Sequence, residues 1–270
     1  MIKKILIFSG DHPRHLYINS TFLKFKDLEF KGIVMKRESM IPKIDKKNSY
    51  LDNKNLKKHF LTRNNNEKKN FGNLNYKKIF KDIDYVECTS KTLNSKKIYN
   101  FIKKFNPDFV FIFGVDIIKE PILNLIDNKN LNLHLGLSPW YKGSATLFWP
   151  FYFLQPNYAG ATFHQITKGI DDGPILHHSV PRLAKNEGIH DVSINVVKKA
   201  KTDLKKIIIK IINRKRLKLI KQKNYGKVFF TNSFKPYHLR VIYNLFNNNI
   251  VDFFLKTNVE KKKIRLIKFV

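Results

Sequence analysis

The chain has 270 residues, 43% of them hydrophobic, with 52 Lys and Arg against 21 Asp and Glu for a formal charge of +31. Its length and apolar content place it among globular proteins with a sizeable core. The single cysteine, Cys88, excludes an intramolecular disulfide and a cysteine-rich metal site. No segment offers the ~18 uninterrupted apolar residues of a membrane span, and the opening run 1–10 is too short for a signal peptide. A cytoplasmic protein without a membrane partner is expected.

An excess of basic charge ordinarily points to nucleic acid or an anionic surface. Here the basic residues are scattered, without the compact blocks of a binding arm. Asn, Ile and Phe are abundant beside Lys, as A/T-rich codons leave them at permissive positions. Compositional bias is the simpler reading, and a phosphorylated substrate stays open under either.

Along the chain, "KKILIFSG" (3–10) is an apolar run ending in Ser-Gly, the form of a buried parallel strand entering a loop. "HLYINSTFLKF" (15–25) reads as a helix and "FKGIVMKR" (30–37) as a second strand, together a βαβ unit. Residues 42–78 are rich in Lys and Asn and poor in apolar periodicity, which predicts a loosely ordered polar insertion with short helices. Strand character returns at 84–90, and Ile98, Phe101, Ile102 and Phe105 recur at helical spacing. "PDFVFIFGV" (107–115) is apolar on both faces, as a central parallel strand should be. A turn and short helix over 116–127 precede the strand "LNLHLGL" (131–137), and "GATFHQIT" (160–167) is another strand, followed by the Gly/Pro loop "KGIDDGPIL" (168–176). A helix is predicted through much of 191–220, then a strand, a loop and a helix over 226–246. The pattern predicts an α/β fold with a mostly parallel sheet, divided into a catalytic domain over 1–190 and a small C-terminal helical and α/β extension over 191–270.

In such sheets ligands bind beyond the carboxyl ends of the strands. Asn132 and His134 lie two apart on a strand, so they share a face. The chain then bends at once through Gly136, Ser138-Pro139 and "YKGS", which leaves room for a ligand. Asp171 and Asp172 occupy the glycine-bounded loop after the next strand, either as carboxylates that orient an imidazole or as turn formers. The first loop, "SGDHPRH" (9–15), sets Gly10, His12, Arg14 and His15 before a helix, an arrangement suited to a phosphate; it lacks a dinucleotide or P-loop pattern.

"NLHLGLSPWYKGSA" followed by "GATFHQITKGIDDGPIL" resembles the folate-dependent formyltransferases, the family of the methionyl-tRNA, glycinamide ribonucleotide and nucleotide-amino-sugar enzymes. That family carries a strand Asn-x-His, a Leu-x-Pro-x-Tyr/Phe-x-Gly loop, a Gly-x-Thr strand and an Asp-x-Gly loop, and each has a counterpart here in the same order. The resemblance covers about 107–180 and implies a Rossmann-like catalytic domain with Asn132, His134 and Asp171 as catalytic residues. It also implies that 111–123 lines the pterin pocket of 10-formyltetrahydrofolate through Phe113, Gly114, Val115, Ile117 and Ile118, with Asp172 nearby, and that no metal is needed. Leu135-Gly136-Leu137-Ser138-Pro139 departs from the family's usual sequence after the histidine.

On that reading a neutral primary amine attacks the formyl carbon. Asn132 and a protonated His134 then donate to the developing oxyanion, each such donor being worth ~10²–10³ in rate, while Asp171 favours the imidazolium and helps move protons. Only about 70 residues follow Ala200, too few for a long helix and a complete tRNA-gripping barrel. The expected acceptor is therefore a small phosphorylated amine, a nucleotide-linked amino sugar first. Its contacts would be the 9–15 loop together with Trp140, Tyr141 and Lys142. Formylation of methionyl-tRNA is the alternative, and a non-catalytic basic RNA-binding module is a second. A homodimer is compatible with all three.

Overall fold

The computed structural model describes residues 3–39, 41–213, 217–223, 225–257 and 264–270. The first apolar run forms β1 (Lys4–Gly10) and turns into α1 (Pro13–Asn19). Pro13 opens that helix, where a missing N–H costs no hydrogen bond. There follow β2 (Glu29–Met35), α2 (Tyr50–Phe71), the single turn α3 (Tyr76–Ile79) and β3 (Asp84–Cys88). The helix α4 (Lys96–Phe105) leads to β4 (Phe109–Phe113), α5 (Ile122–Leu125) and β5 (Asn130–His134). Beyond it come β6 (Tyr141–Gly143), α6 (Trp149–Tyr152), β7 (Ala161–His164), β8 (Ile175–Ser179), α7 (Ile189–Ile212), β9 (Lys227–Phe229) and α8 (Ile250–Lys256).

Seven strands form one sheet in the order β3-β2-β1-β4-β5-β7-β8, and β6 pairs with β9 in a second, two-stranded sheet. From β3 to β5 every pairing is parallel, whereas β7 pairs antiparallel with both β5 and β8. The mostly parallel α/β fold read from the sequence is the fold observed. Strand order reverses between β1 and β4, which opens a crevice at the carboxyl edge where Gly10, Gly114 and His134 end their strands.

Alternation along the strands separates two cores. Ile5, Ile7, Phe109, Phe111, Leu131 and Leu133 face the layer that contains α1, α2 and α7. Leu6, Phe8, Val110 and Ile112 face α4 and α5. Because Leu131 and Leu133 point to the first layer, Asn130, Asn132 and His134 must point to the second.

The polar stretch 42–78 is not loosely ordered: it holds the 22-residue helix α2. Its buried face carries Asp52, Asn55, Leu56, His59, Glu67 and Phe71, a stripe at helical spacing made mostly of polar groups. Hydrophobic periodicity cannot reveal such a stripe, because ion pairs and hydrogen bonds replace apolar packing. Arg240 grips Asp52 through Nε and Nη2 at 2.7 and 2.8 Å, Asn55 donates to Asn244, and Tyr243 OH lies 2.9 Å from His59 Nδ1. Ser49 caps the helix by accepting from Asp52 N at 3.1 Å.

The helix predicted over 191–220 starts at Ile189 and ends at Ile212; the predicted positions 214–216 lie outside the described residues. Val192, Val196, Ala200 and Leu204 enter the same core as the sheet, so this helix belongs to the catalytic layer structure, and the division expected at residue 190 does not separate two cores. Ile220, expected to be helical, instead exchanges two backbone hydrogen bonds of 2.8 Å with Ile175 at the start of β8. Among the described residues no helix is long and apolar enough to cross a membrane.

Candidate active site

The three residues singled out on β5 and in the aspartate loop converge. Asp171 Oδ2 lies 3.2 Å from His134 Nδ1 and accepts a hydrogen bond of 2.8 Å from Gly143 N. Asp171 has φ 48, in the left-handed region that few non-glycine residues occupy. Such a conformation beside reacting groups is characteristic of functional sites. Burial pushes the Asp171 carboxyl up, but His134, His164 and the Gly143 N–H together hold it well below the usual carboxylate range.

A second imidazole, His164, completes the cluster and was missed in the sequence. It stands opposite Asn132 in the β5–β7 register, just as Thr162 stands opposite His134. Asn132 Nδ2 is 3.0 Å from His164 Nε2, and Asp171 Oδ1 is 3.4 Å from the same nitrogen. His164 Nδ1 lies 2.7 Å from the Gln165 carbonyl, which can only accept, so Nδ1 carries the proton and Nε2 accepts from Asn132. The other Asn132 N–H makes no hydrogen bond among the described residues, and the side chain is half-buried at the edge of the crevice.

The two ring nitrogens of His134 face different acceptors, a carbonyl and the Asp171 carboxylate. Nε2 lies 3.0 Å from the Tyr141 carbonyl and therefore holds the ring proton. Burial lowers the pKa of His134 below 6.5; Asp171 opposes the shift without reversing it. The lowered pKa favours the neutral ring, with its N–H committed to Tyr141. Nδ1 faces the Asp171 carboxylate, so a proton taken up on this side is shared by the pair. NMR titration of the His134 ring should give a midpoint below 6.5, and Asp171→Asn should move it lower still, because the carboxylate is the influence that raises it. A midpoint above 6.5 would remove the neutral assignment.

Around this cluster, Thr162 donates to Gly136 O at 2.6 Å and accepts from Ser138 N at 2.9 Å, fixing the bend after β5. Tyr141 is a core residue, its ring stacked on Phe229 and its hydroxyl donating to Gln155. Lys142 is buried to 9% exposure and has no ion pair among the described residues. Trp140 is half-buried between Tyr158, His178 and Tyr225. Asp172 is exposed and accepts from Thr167 Oγ1, the turn-forming role of the two considered.

In the segment expected to line the pterin pocket, Phe113 and Ile118 are buried, Val115 is half-buried, and Ile117 stands 60% exposed. Gly114 has φ 80, and a Cβ there would meet the His15 ring at 2.5 Å. Gly10 is pressed against the same ring, where a Cβ would lie 2.3 Å from Nδ1. In the loop 9–15, expected to face a phosphate, the side chains of His12 and Arg14 have partners within the fold. Burial lowers the pKa of both His12 and His15, His12 Nε2 contacts the Glu38 carbonyl at 3.0 Å, and Arg14 is committed to Glu67 on α2.

The Formyl transferase family profile matches residues 45–208. The methionyl-tRNA formyltransferase of Finegoldia magna is 28% identical over 95 residues, covering 35% of this chain and 30% of that protein. The GDP-perosamine N-formyltransferase of Brucella melitensis is 23% identical over 127 residues, 47% of this chain and 49% of that protein. The matched part thus spans less than half the length of these curated relatives. Among solved structures, the formyltransferase PseJ from Anoxybacillus kamchatkensis, in complex with UDP-4,6-dideoxy-4-formamido-L-AltNAc and tetrahydrofolate, superposes with a TM-score of 0.52 at 17% identity. It covers 92% of this chain and 95% of that one, a likeness of fold. The chain belongs to the formyl transferase family.

Proposed function

We propose that this protein moves a formyl group from 10-formyltetrahydrofolate to the primary amine of a nucleotide-linked amino sugar. The observation that carries the reading is the juxtaposition, in a chain of this family, of the open Asn132 amide with the Asp171 carboxylate held by His134, His164 and Gly143 N. The folate supplies an activated formyl group. Phe113, Gly114, Val115, Ile117 and Ile118 would hold its pterin, for which the exposed side chain of Ile117 offers an apolar lip at the crevice.

The amine nitrogen bonds to the formyl carbon, and the carbonyl π pair moves to oxygen, where the free Asn132 N–H is placed to donate. The proton lost by the amine passes to the His134–Asp171 pair, whose neutral ring and ionised carboxylate can both accept. Collapse breaks the bond to the folate nitrogen, which takes up a proton and leaves. The products are a formamide and tetrahydrofolate.

The acceptor class is supported by the GDP-perosamine and PseJ relatives, whose names specify amino-sugar chemistry. The methionyl-tRNA relative keeps charged tRNA as the alternative acceptor. Incubation with 10-formyltetrahydrofolate and a panel of nucleotide-linked amino sugars, read by mass spectrometry, should show a mass gain of one CO on at least one of them. Formylation of charged initiator tRNA alone would replace the acceptor; no transfer to any amine, from folded protein, would refute the reading.

A further inference from the structure

Gln222 lies 51 positions beyond Asp171 in the extended segment 217–223 that follows α7. The paired backbone bonds between Ile175 and Ile220 register this segment against the start of β8. Two residues further on, Gln222 Nε2 donates to Asp171 O at 2.8 Å and to Gly173 O at 2.7 Å. Carbonyls only accept, so both N–H groups of the amide are committed and its orientation is fixed. Turned over, Oε1 would face two carbonyl oxygens.

The Gln222 Oε1 is itself buried without a hydrogen-bond partner among the described residues. A buried orphan acceptor is costly, and the site bears that cost together with the left-handed backbone of Asp171, which is unfavourable for residues with a Cβ. The two features are joined, since the amide that leaves its oxygen orphaned is the one that ties the loop on both sides of residue 172.

We propose that Gln222 is a positioning residue for the catalytic carboxylate. By holding the carbonyls of Asp171 and Gly173 it keeps Asp171 left-handed, so that its carboxylate stays on Gly143 N, His134 and His164. The proposal rests on the catalytic role given to Asp171 above.

The test compares Gln222→Met, which keeps the length and removes both donors, with Gln222→Glu and with Lys223→Gln as an exposed control. In Gln222→Met kcat should fall by about 10–100-fold, the order expected when a reacting group is displaced by ~1 Å. Binding of a stable folate analogue should stay within about twofold, a kcat-selective loss that follows from misplaced chemistry. Gln222→Glu should regain part of the loss as pH falls, because only the protonated carboxyl can donate to a carbonyl. Ring resonances of His134 and His164, followed by NMR without any substrate, should shift in Gln222→Met and stay put in Lys223→Gln. Unchanged kcat and unmoved ring signals would overturn the assignment. So would a lowered melting temperature with kcat and analogue binding reduced in parallel, the mark of a merely structural residue. If the wild type transfers no formyl group, the functional reading fails, and the NMR comparison still decides whether Gln222 places Asp171.

Discussion

Asp171→Asn is expected to lower the rate of formyl transfer by about 10³-fold, the scale on which triad-type carboxylates and charge-stabilising donors act, while leaving the fold in place. The carboxylate takes Gly143 N on Oδ2 together with His134 Nδ1, and His164 Nε2 stands against Oδ1. An asparagine has nearly the same shape but only one accepting oxygen. With its oxygen kept on Gly143 N, its NH₂ takes the Oδ1 position, and the negative charge opposite His134 Nδ1 is gone. The loss is therefore of charge and of one acceptor, with volume and backbone preserved.

Single-turnover transfer of the formyl group, measured beside folate-analogue binding, separates chemistry from recognition. The variant should bind the analogue nearly as tightly as the wild type, since Asp171 is reserved for the proton and not for the pterin. Asn132→Ala removes a donor to the developing oxyanion and should lose about 10²–10³-fold. Asp171→Ala should also destabilise the fold, because it leaves the part-buried Gly143 N–H without its acceptor. A transfer rate within tenfold of wild type in Asp171→Asn would remove the carboxylate from the chemistry.

The parts of this site that were legible in the sequence are those governed by local periodicity. The two-residue alternation of "LNLH" puts Asn132 and His134 on one face whatever the rest of the chain does, and the glycines around Asp171 announce a turn. His164 became visible only through the antiparallel register that sets it against Asn132, and a register between strands 30 residues apart is not written in either strand alone. Gln222 is remoter still, and acts through its side-chain amide on two backbone carbonyls, a contact without any spacing rule. β8 was half hidden because its buried positions include His177 and His178, which break the apolar run. His178 Nε2 donates to Ser138 O at 2.9 Å, and His177 Nε2 contacts Asp203 Oδ2 at 3.1 Å. The charges of the loop 9–15 invite a ligand by sequence, and in the fold Arg14 is paired with Glu67, a contact no local pattern announces. In α2, polar residues expected in a loosely ordered insertion form much of a buried helix face.

That buried polar face underlies the largest expected effect on stability. Glu67 is 1% exposed and takes hydrogen bonds on Oε1 from Arg14 Nε at 2.8 Å and Arg63 Nε at 3.0 Å, one guanidinium from α1 and one from a turn earlier on α2. Burial raises the Glu67 carboxyl, yet the two arginines bring it down to about 2 from an ordinary 4.5. Removing it leaves two guanidiniums, 11% and 27% exposed, facing each other, and burial already lowers Arg63 to about 10 with the carboxylate present. Glu67→Ala should therefore cost about 3–5 kcal/mol in urea unfolding at neutral pH, the range for breaking a buried pair from one side. Glu67→Gln, which keeps the volume and one oxygen, should fall between the variant and the wild type.

The sign of the pH dependence follows from the lowered pKa. A carboxyl that titrates near 2 when folded and 4.5 when unfolded contributes its stability in full above 4.5, and loses it as the pH falls toward 2. The shift is worth about 3 kcal/mol at ~1.4 kcal/mol per pH unit, in line with the mutational range. The difference between wild type and Glu67→Ala should accordingly be constant from neutrality down to about pH 5 and narrow below it. A difference under ~1 kcal/mol at pH 7 would mean that the two arginines find other partners or water, and that α2 is held by its remaining contacts to Arg240, Asn244 and Tyr243.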